Sequence, residues 1–323
     1  MKVLFATYPM AFHTPGGGEI QLLAYRRHLP AHGVDVTLFD PWNPRFLEHD
    51  VVHFFSCVGG SVHFCNFVKQ LGLPLVVSSS LWVTEETKHL YPIGEIHHQF
   101  SLADRVVANS EIECETLARI FDLPREKFVS VLNGVEESFY EPVAPELFRS
   151  ELRIEDRFVL NVGNIEPRKN QLALIRAMKS FPDLKLVLIG HQRDPQYAQA
   201  CFAEGGDQLI YAGTLAHDSP LLRSAYAACE AFVLPSTLET PGLAALEAHA
   251  AGARIAVTKV GSTEEYFARH VAYLDPQDVE SVARSIGEAL AQPRAGTLDT
   301  ARDLTWQAVL SPLKDLYDSL LTK

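Results

Sequence analysis

The sequence predicts an α/β protein made of two Rossmann-like, doubly wound parallel-sheet domains. Short β-branched runs alternate with longer amphipathic segments along the chain, the pattern of βαβ units. The alternation breaks at 133–155, where Gly134, Pro142 and Pro145 occur without a strand pattern, as expected of an interdomain linker. The length of 323 residues, 47% of them hydrophobic and 21% charged, suits two buried cores of ordinary globular composition.

In the first series, 3–8 reads as a buried strand, followed by a Gly- and Pro-rich loop to Gly18 and a helix over 19–32 closed by Gly33. Strands follow at 34–39, 51–55, 75–77, 105–108 and 128–132, with helices at 61–71, 91–102 and 111–121. In the second series strands fall at 158–162, 184–189, 209–211, 231–234 and 254–257, and helices at 170–179, 221–228, 242–251 and 279–292. One amphipathic helix over 304–321 ends the chain. The expected domains are 1–140 and 141–300, with 301–323 as a separate C-terminal helix. Open parallel sheets bind ligands beyond the carboxyl ends of their strands, so two domains facing each other would hold a ligand in the cleft between them.

Composition excludes several function classes. The net charge of −12 divides evenly, −6 on either side of Tyr140, so nucleic acid is not an expected partner. An acidic chain also disfavours stable docking on anionic lipid, leaving at most weak peripheral membrane contact. No run of about 18 uncharged apolar residues occurs, so no transmembrane segment is expected. MKVLFATYPMAF is apolar, but polar HTPGGGE follows without a small-residue cleavage site, which reads as a first strand in a cytoplasmic protein. Cys57, Cys65, Cys114, Cys201 and Cys229 are odd in number and lack Cys-x-x-Cys spacing, which argues against a disulfide framework or zinc site. Buried thiols in a reducing compartment are the expectation.

Two segments carry chemistry. In Leu234-Pro-Ser-Thr-Leu-Glu239-Thr240-Pro241-Gly242-Leu243-Ala-Ala-Leu-Glu247, a buried strand runs through a polar loop into a helix. Pro241 suits a first-turn position, and the amides of Gly242, Leu243 and Ala244 would face a phosphate at the positive end of the helix dipole. Glu247 lies about one turn into a helix whose Leu243, Leu246, Ala250 and Ala251 mark it as buried, and a buried Glu needs a partner. Its carboxylate could accept both hydroxyls of a ribose, while Glu239 could reach sugar hydroxyls from the loop. In Leu160-Asn-Val-Gly163-Asn164-Ile-Glu166-Pro-Arg168-Lys169-Asn170, a strand ends, Gly163 turns, and two cations reach the start of a helix. Cations there oppose the helix dipole unless an anion lies between them, and a diphosphate fits: Arg168 gripping oxygens as a fork, Lys169 as a point charge. The structural alternatives are a solvated Arg-Lys pair and solvated glutamates.

These segments resemble the retaining glycosyltransferases of family 4, which have the GT-B fold and a Glu-x7-Glu motif, here Glu239 and Glu247. Pro15-Gly-Gly17-Gly18-Glu19 is similar to the family's glycine loop. Ala108-Asn-Ser-Glu111, Leu132-Asn-Gly-Val135, Tyr211-Ala-Gly213 and Gly261-Ser-Thr-Glu-Glu265 also match, so the resemblance spans most of the chain. It implies a nucleotide-sugar donor (UDP- or GDP-sugar) bound mainly by the second domain, an acceptor bound mainly by the first, and a final helix crossing back to the first domain. Arg168, Lys169 and Glu239 would be catalytic. Gly17, Gly18, Gly163, Asn164, Thr240, Gly242, Leu243 and Glu247 would bind the donor. Two departures stand out: Asn164 occupies a position where many members have Arg, and Val77-Ser-Ser-Ser-Leu-Trp82 lacks the His many members have there, leaving His13, His53 and His63 as candidates to approach the cleft.

The expected reaction transfers a hexose-type sugar with retention, to an acceptor such as a growing glycan or lipid-linked sugar. The cations and helix amides would stabilise the departing diphosphate, and that phosphate would take the acceptor proton. No cofactor is expected and, without an Asp-x-Asp motif, no obligatory metal. Three rival readings remain. A dinucleotide oxidoreductase would use Gly16-Gly-Gly18 and Asp40, but Gln21 breaks the glycine fingerprint. A glycosidase would use Glu239 and Glu247 as its carboxylate pair. A nucleotide-sugar epimerase or non-transferring binder would share the fold without the transfer.

Overall fold

The structure, a computed structural model, describes residues 1–13, 15–79, 81–294 and 304–322. In chain order the elements are β1 (Lys2–Thr7), α1 (Gly17–His28), β2 (Asp35–Leu38), β3 (Val51–Phe55), α2 (Ser61–Gln70), β4 (Leu75–Ser78), α3 (Ile93–Leu102), β5 (Arg105–Ala108), α4 (Glu111–Ile120) and β6 (Phe128–Ser130). Then come α5 (Glu146–Leu152), β7 (Phe158–Val162), α6 (Gln171–Met178), β8 (Lys185–Ile189), α7 (Pro195–Gly205), β9 (Leu209–Tyr211), α8 (Pro220–Ala228) and β10 (Ala231–Leu234). The chain continues through α9 (Leu243–Ala250), β11 (Ile255–Thr258), α10 (Thr263–Phe267), β12 (Ala272–Leu274), α11 (Val279–Ala291), α12 (Trp306–Val309) and α13 (Ser311–Leu321).

The chain divides into two compact units, Met1–Gly134 with Leu304–Lys323, and Val135–Asp303. Each holds a six-stranded sheet, ordered β2-β1-β3-β4-β5-β6 in the first and β12-β11-β10-β7-β8-β9 in the second. Every pairing is parallel. Together these are the two Rossmann-like doubly wound sheets of the GT-B fold.

Burial explains why these runs became parallel strands. All of β3, β4, β10 and β11 is buried, as in a sheet covered by helices on both faces, whereas the outermost strands β2 and β9 are only half-buried. In the first unit Phe54, Val77 and Val106 pack against Cys65, Phe100 and Leu117 from the helices; in the second, Val159, Leu188 and Val233 pack against Leu174, Ala198 and Ile286. Side-chain caps start several helices: Ser110 Oγ accepts from Glu113 N at 3.0 Å, and Asp194 Oδ1 accepts from Tyr197 N at 3.0 Å. All five cysteines are buried and unbridged.

Several elements differ from the sequence reading. The helix expected from Glu19 starts at Gly17, because the Glu19 carboxylate turns back to accept from Gly16 N at 2.7 Å and caps the first turn. Its expected end at His32 is a tighter 3₁₀ turn over Leu29–His32, stopped by Gly33 at φ 76°. The stretch read as a linker contains α5, and Val135 onward belongs to the second unit. The final helix is two, separated at Leu310. The sequence reading had no counterpart for α7, α10 or β12. The boundary expected at 300/301 falls within 295–303, outside the described residues, as does Ser80 of the Val77–Trp82 segment.

The last two helices pack within the first unit. Trp306 is buried 5.9 Å from Tyr25, and a Cβ at Gly134 would lie 2.4 Å from Trp306 N, so only glycine allows that backbone approach. His53 Nδ1 meets Tyr317 Oη at 2.6 Å and its Nε2 meets Ser78 Oγ at 2.8 Å. Burial pushes the His53 imidazole down to about 3. It is therefore a neutral core residue and not a replacement for the missing histidine.

Candidate functional site

In an open sheet, ligands bind where the strand order reverses. In the second unit the chain winds from β7 outward to β9, then returns to lay β10 on the other side of β7. The crevice therefore lies between the carboxyl ends of β7 and β10. The loops leaving those ends, 163–170 and 235–242, are the two segments that stood out in the sequence.

Buried Asn161 ties the strands there, donating from Nδ2 to Val233 O at 2.8 Å. A Cβ at Gly190 would fall 2.0 Å from Gly163 O, and Gly163 N donates to Ile189 O at 2.9 Å, so the β7 and β8 exits run backbone to backbone. Pro167–Lys169 form one 3₁₀ turn, and Asn170 adopts φ 56° to begin α6. Asn170 Nδ2 fixes the turn by donating to Pro276 O at 2.7 Å and Pro235 O at 3.2 Å. The cations thus sit just ahead of the helix rather than inside its first turn.

Lys169 and Glu239 meet across the crevice, Nζ to Oε1 at 2.5 Å, with Arg168 Nη1 3.7 Å from the same oxygen. The Lys169 stem lies over Gly163, whose missing Cβ would be 3.5 Å from Lys169 Cε. Glu239 is 6% exposed. Burial opposes its charge, but Lys169 and Arg168 outweigh burial and hold the carboxyl below its usual range. The anion expected between the cations is, within the protein, this carboxylate. Arg168 is half-exposed and also faces Glu166 Oε1 at 3.3 Å, and Arg193 lies 3.7 Å from the other Glu166 oxygen.

The Glu239 backbone is equally constrained. Its N–H donates to Val260 O at 3.1 Å and its carbonyl accepts from Ser262 N at 3.0 Å. A Cβ at Gly261 would stand 1.9 Å from Glu239 O. Ser262 Oγ donates to Thr240 O at 2.6 Å. Gly242, at φ 77°, is the N-cap of α9, so Pro241 lies outside the first turn where the sequence reading put it. The first capping bond runs from Ala245 N to Gly242 O at 2.8 Å, which leaves the Leu243 and Ala244 amides ahead of the helical ladder. Glu239 Cγ is 3.7 Å from where a Gly242 Cβ would stand, so the cation pair lies at the mouth of α9.

Glu247 is 5% exposed, and its partners are residues the sequence reading did not name. His217 Nε2 is 2.7 Å from Oε1, and Tyr226 Oη donates to Oε2 at 3.0 Å. Burial works against the His217 imidazolium, yet Glu247, then Glu136 and Asp218, prevail and raise its pKa above the ordinary value. Burial and Glu247 push the Tyr226 hydroxyl well above its usual range, so it stays a donor. The requirement for a partner was legible in the sequence; its identity, 30 and 21 residues away, was not.

Gly163, Arg168, Lys169, Glu239, Thr240, Gly242 and Leu243 therefore converge, and Glu247 forms its own cluster farther along α9. Asn164 joins through its backbone, its carbonyl accepting from Gln171 Nε2 at 3.0 Å. Gly17 and Gly18 belong to the first unit, where the strand order reverses between β1 and β3. A cavity of about 160 Å³ opens there, lined by Thr7, Tyr8, Gly18, Glu19, Phe55 and Ser56 among others. Both glycines occupy the first turn of α1 without positive φ, so they contribute only the lack of a side chain. His13 and His63 are exposed.

Two doubly wound units, one with paired cations and a helix N-terminus at its strand-order reversal, define an α/β protein of the GT-B class. Residues 144–305 match the family described as glycosyl transferases group 1, and the chain belongs to that family. It is 30% identical over 207 residues to the serotype-specific mannosyltransferase WbdA of Escherichia coli, covering 59% of this chain but only 25% of that protein. Against the D-inositol 3-phosphate glycosyltransferase of Thermobispora bispora it is 26% identical over 309 residues, covering 85% of this chain and 72% of the other. The chain thus spans about a quarter of the mannosyltransferase's length. Among solved structures, sucrose-phosphate synthase from Thermosynechococcus elongatus superposes with a TM-score of 0.82 at 20% identity, covering 100% and 99% of the two chains. Anabaena HepE in complex with UDP and glucose gives a TM-score of 0.73 at 17% identity, covering 100% and 97%. Among the described residues, no helix is long and apolar enough to cross a membrane.

Proposed function

We propose that the protein transfers a hexose-type sugar, with retention, from a UDP- or GDP-sugar to an acceptor such as a growing glycan or lipid-linked sugar, as a family 4 enzyme with Glu239 and Glu247 as its Glu-x7-Glu pair. The observation that carries this reading is the Lys169–Glu239 contact of 2.5 Å at the mouth of α9, with Arg168 beside it. An ammonium has three donors, so Lys169 can keep Glu239 and still take a phosphate oxygen. With Arg168 and the Leu243 and Ala244 amides, it would stabilise the charge that gathers on the leaving diphosphate. Glu239, held ionised, would accept from donor-sugar hydroxyls, and Glu247 would hold the ribose. Gly163, Asn164, Thr240 and Gly242 would line the donor site, and Gly17 and Gly18 would allow close backbone approach to the sugar or phosphates. Neither a cofactor nor an obligatory metal enters this chemistry.

The glycosidase reading needs one of its two carboxyls to be a proton donor near neutrality. Glu239 is held ionised by two cations, and Glu247 accepts from two donors. The test is a thermal-shift screen of UDP, GDP, ADP and their sugars, followed by product analysis with a mixed acceptor pool. Stabilisation by UDP or GDP and an elongated acceptor with the α-linkage of an α-donor are expected. An inverted product refutes retention, and a free epimerised sugar refutes transfer.

A further inference from the structure

The His217–Glu247–Tyr226 cluster supplies a buried carboxylate with one donor on each oxygen, 2.7 and 3.0 Å away. His217 lies on the loop that leaves the carboxyl end of β9, Tyr226 on α8 and Glu247 on α9, so three separate elements converge on one carboxylate. The cluster is not sealed: the His217 side chain is 33% exposed while Glu247's is 7%. Phe139 flanks both donors, 5.6 Å from the His217 ring and 6.0 Å from Tyr226.

We infer that His217 is a positioning residue that locks the Glu247 carboxylate in the orientation that reads the ribose diol of the donor nucleotide. This rests on the ribose role proposed above for Glu247. A carboxylate oxygen only accepts, so the 2.7 Å contact means that His217 Nε2 carries the proton. With Tyr226 on the other oxygen, each oxygen has one side-chain donor among the described residues and the capacity to accept a second hydrogen bond. Two neighbouring hydroxyls fit that pair of acceptors, and the fixed donors remove the rotational freedom that binding would otherwise have to freeze. His217 thereby acts on nucleoside recognition through Glu247 without touching the diphosphate.

The test measures affinities by calorimetry for UDP and GDP, each beside its 2′,3′-dideoxy form, in wild type, His217→Ala and His217→Gln. Wild type should prefer the ribonucleotide by tenfold or more, since a hydrogen bond to a charged group is lost in the dideoxy form. His217→Ala should bring that ratio close to one while dideoxy affinity moves within twofold. His217→Gln, which restores a donor without the charge, should recover most of the preference. An undiminished ratio in His217→Ala, an equal loss for both nucleotide forms, or no rescue by Gln overturns the positioning role. Wild type that binds with a ratio near one overturns the ribose role of Glu247 and this inference with it, while leaving the diphosphate site at Lys169 and Arg168 standing. Wild type that binds neither UDP nor GDP overturns the donor reading and this inference with it.

Discussion

Lys169→Ala should separate the structural from the chemical role of the cation pair. Lys169 and Glu239 are 15% and 7% exposed at their side chains, so removing the ammonium leaves a nearly buried carboxylate whose nearest cation is the half-exposed Arg168 at 3.7 Å. Truncating one partner of a buried ion pair costs about 3–5 kcal/mol because the other charge is orphaned. Arg168 retains part of that, so about 2–3 kcal/mol of lost stability is expected. The double variant Lys169→Met/Glu239→Gln removes both charges and should return to within about 1 kcal/mol of wild type. Trp42, Trp82 and Trp306 all lie in the first unit, so their fluorescence during urea unfolding is an internal control, while circular dichroism also reports the second unit. Turnover should fall about 100-fold in the single variant and stay low in the double, because the donor to the leaving diphosphate is absent from both. A single variant as stable as wild type, or a double as weakened as the single, would refute the orphaned-charge argument. Near-normal turnover in Lys169→Ala would remove lysine from the mechanism.

Two histidines should give opposite pH signatures. His53 is neutral when folded, with its pKa lowered to about 3, so its contribution is complete above the unfolded value near 6.5 and is lost as pH falls toward 3. Between pH 7 and about pH 5 this should cost the first unit ~2 kcal/mol, read by tryptophan fluorescence, and His53→Gln should flatten that part of the slope. His217 has a raised pKa, sustained against burial by Glu247, Glu136 and Asp218, so its contribution is present at low pH and is lost as pH rises through the folded value. Denaturation of His217→Gln from mildly acidic to mildly alkaline pH should show that decline abolished. Gly261→Ala would place a Cβ 1.9 Å from Glu239 O at φ 109°, so the 235–242 loop must move; loss of the UDP or GDP thermal shift is expected, and a full shift would show the loop to be tolerant.

Much of the fold was legible because periodicity is a local property. The β3, β7, β9 and β10 boundaries agree with the sequence reading to the residue. The failures have physical causes. Glu19 reaching back to Gly16 started α1 early, a capping effect that a glycine-rich stretch conceals. Helix α5, only 7 residues long, is held by tertiary bonds, with Phe148 N donating to Ser224 Oγ at 2.9 Å across 76 residues of chain, so no helical periodicity announced it. Pro241 looked like a first-turn residue, but the left-handed Gly242 starts the helix one residue after itself.

The alternating elements, the two loops with their cations and carboxylates, and the need of a Glu on a buried helix for partners are all local features that can be read along the chain. Which charges meet is a matter of packing. Lys169 and Glu239 are 70 residues apart and touch because β10 returns to lie beside β7, while His217 and Tyr226 reach Glu247 from separate elements. A one-dimensional pattern records what each segment must bury; which neighbour it is buried against depends on strand order, and that is set by packing the whole sheet.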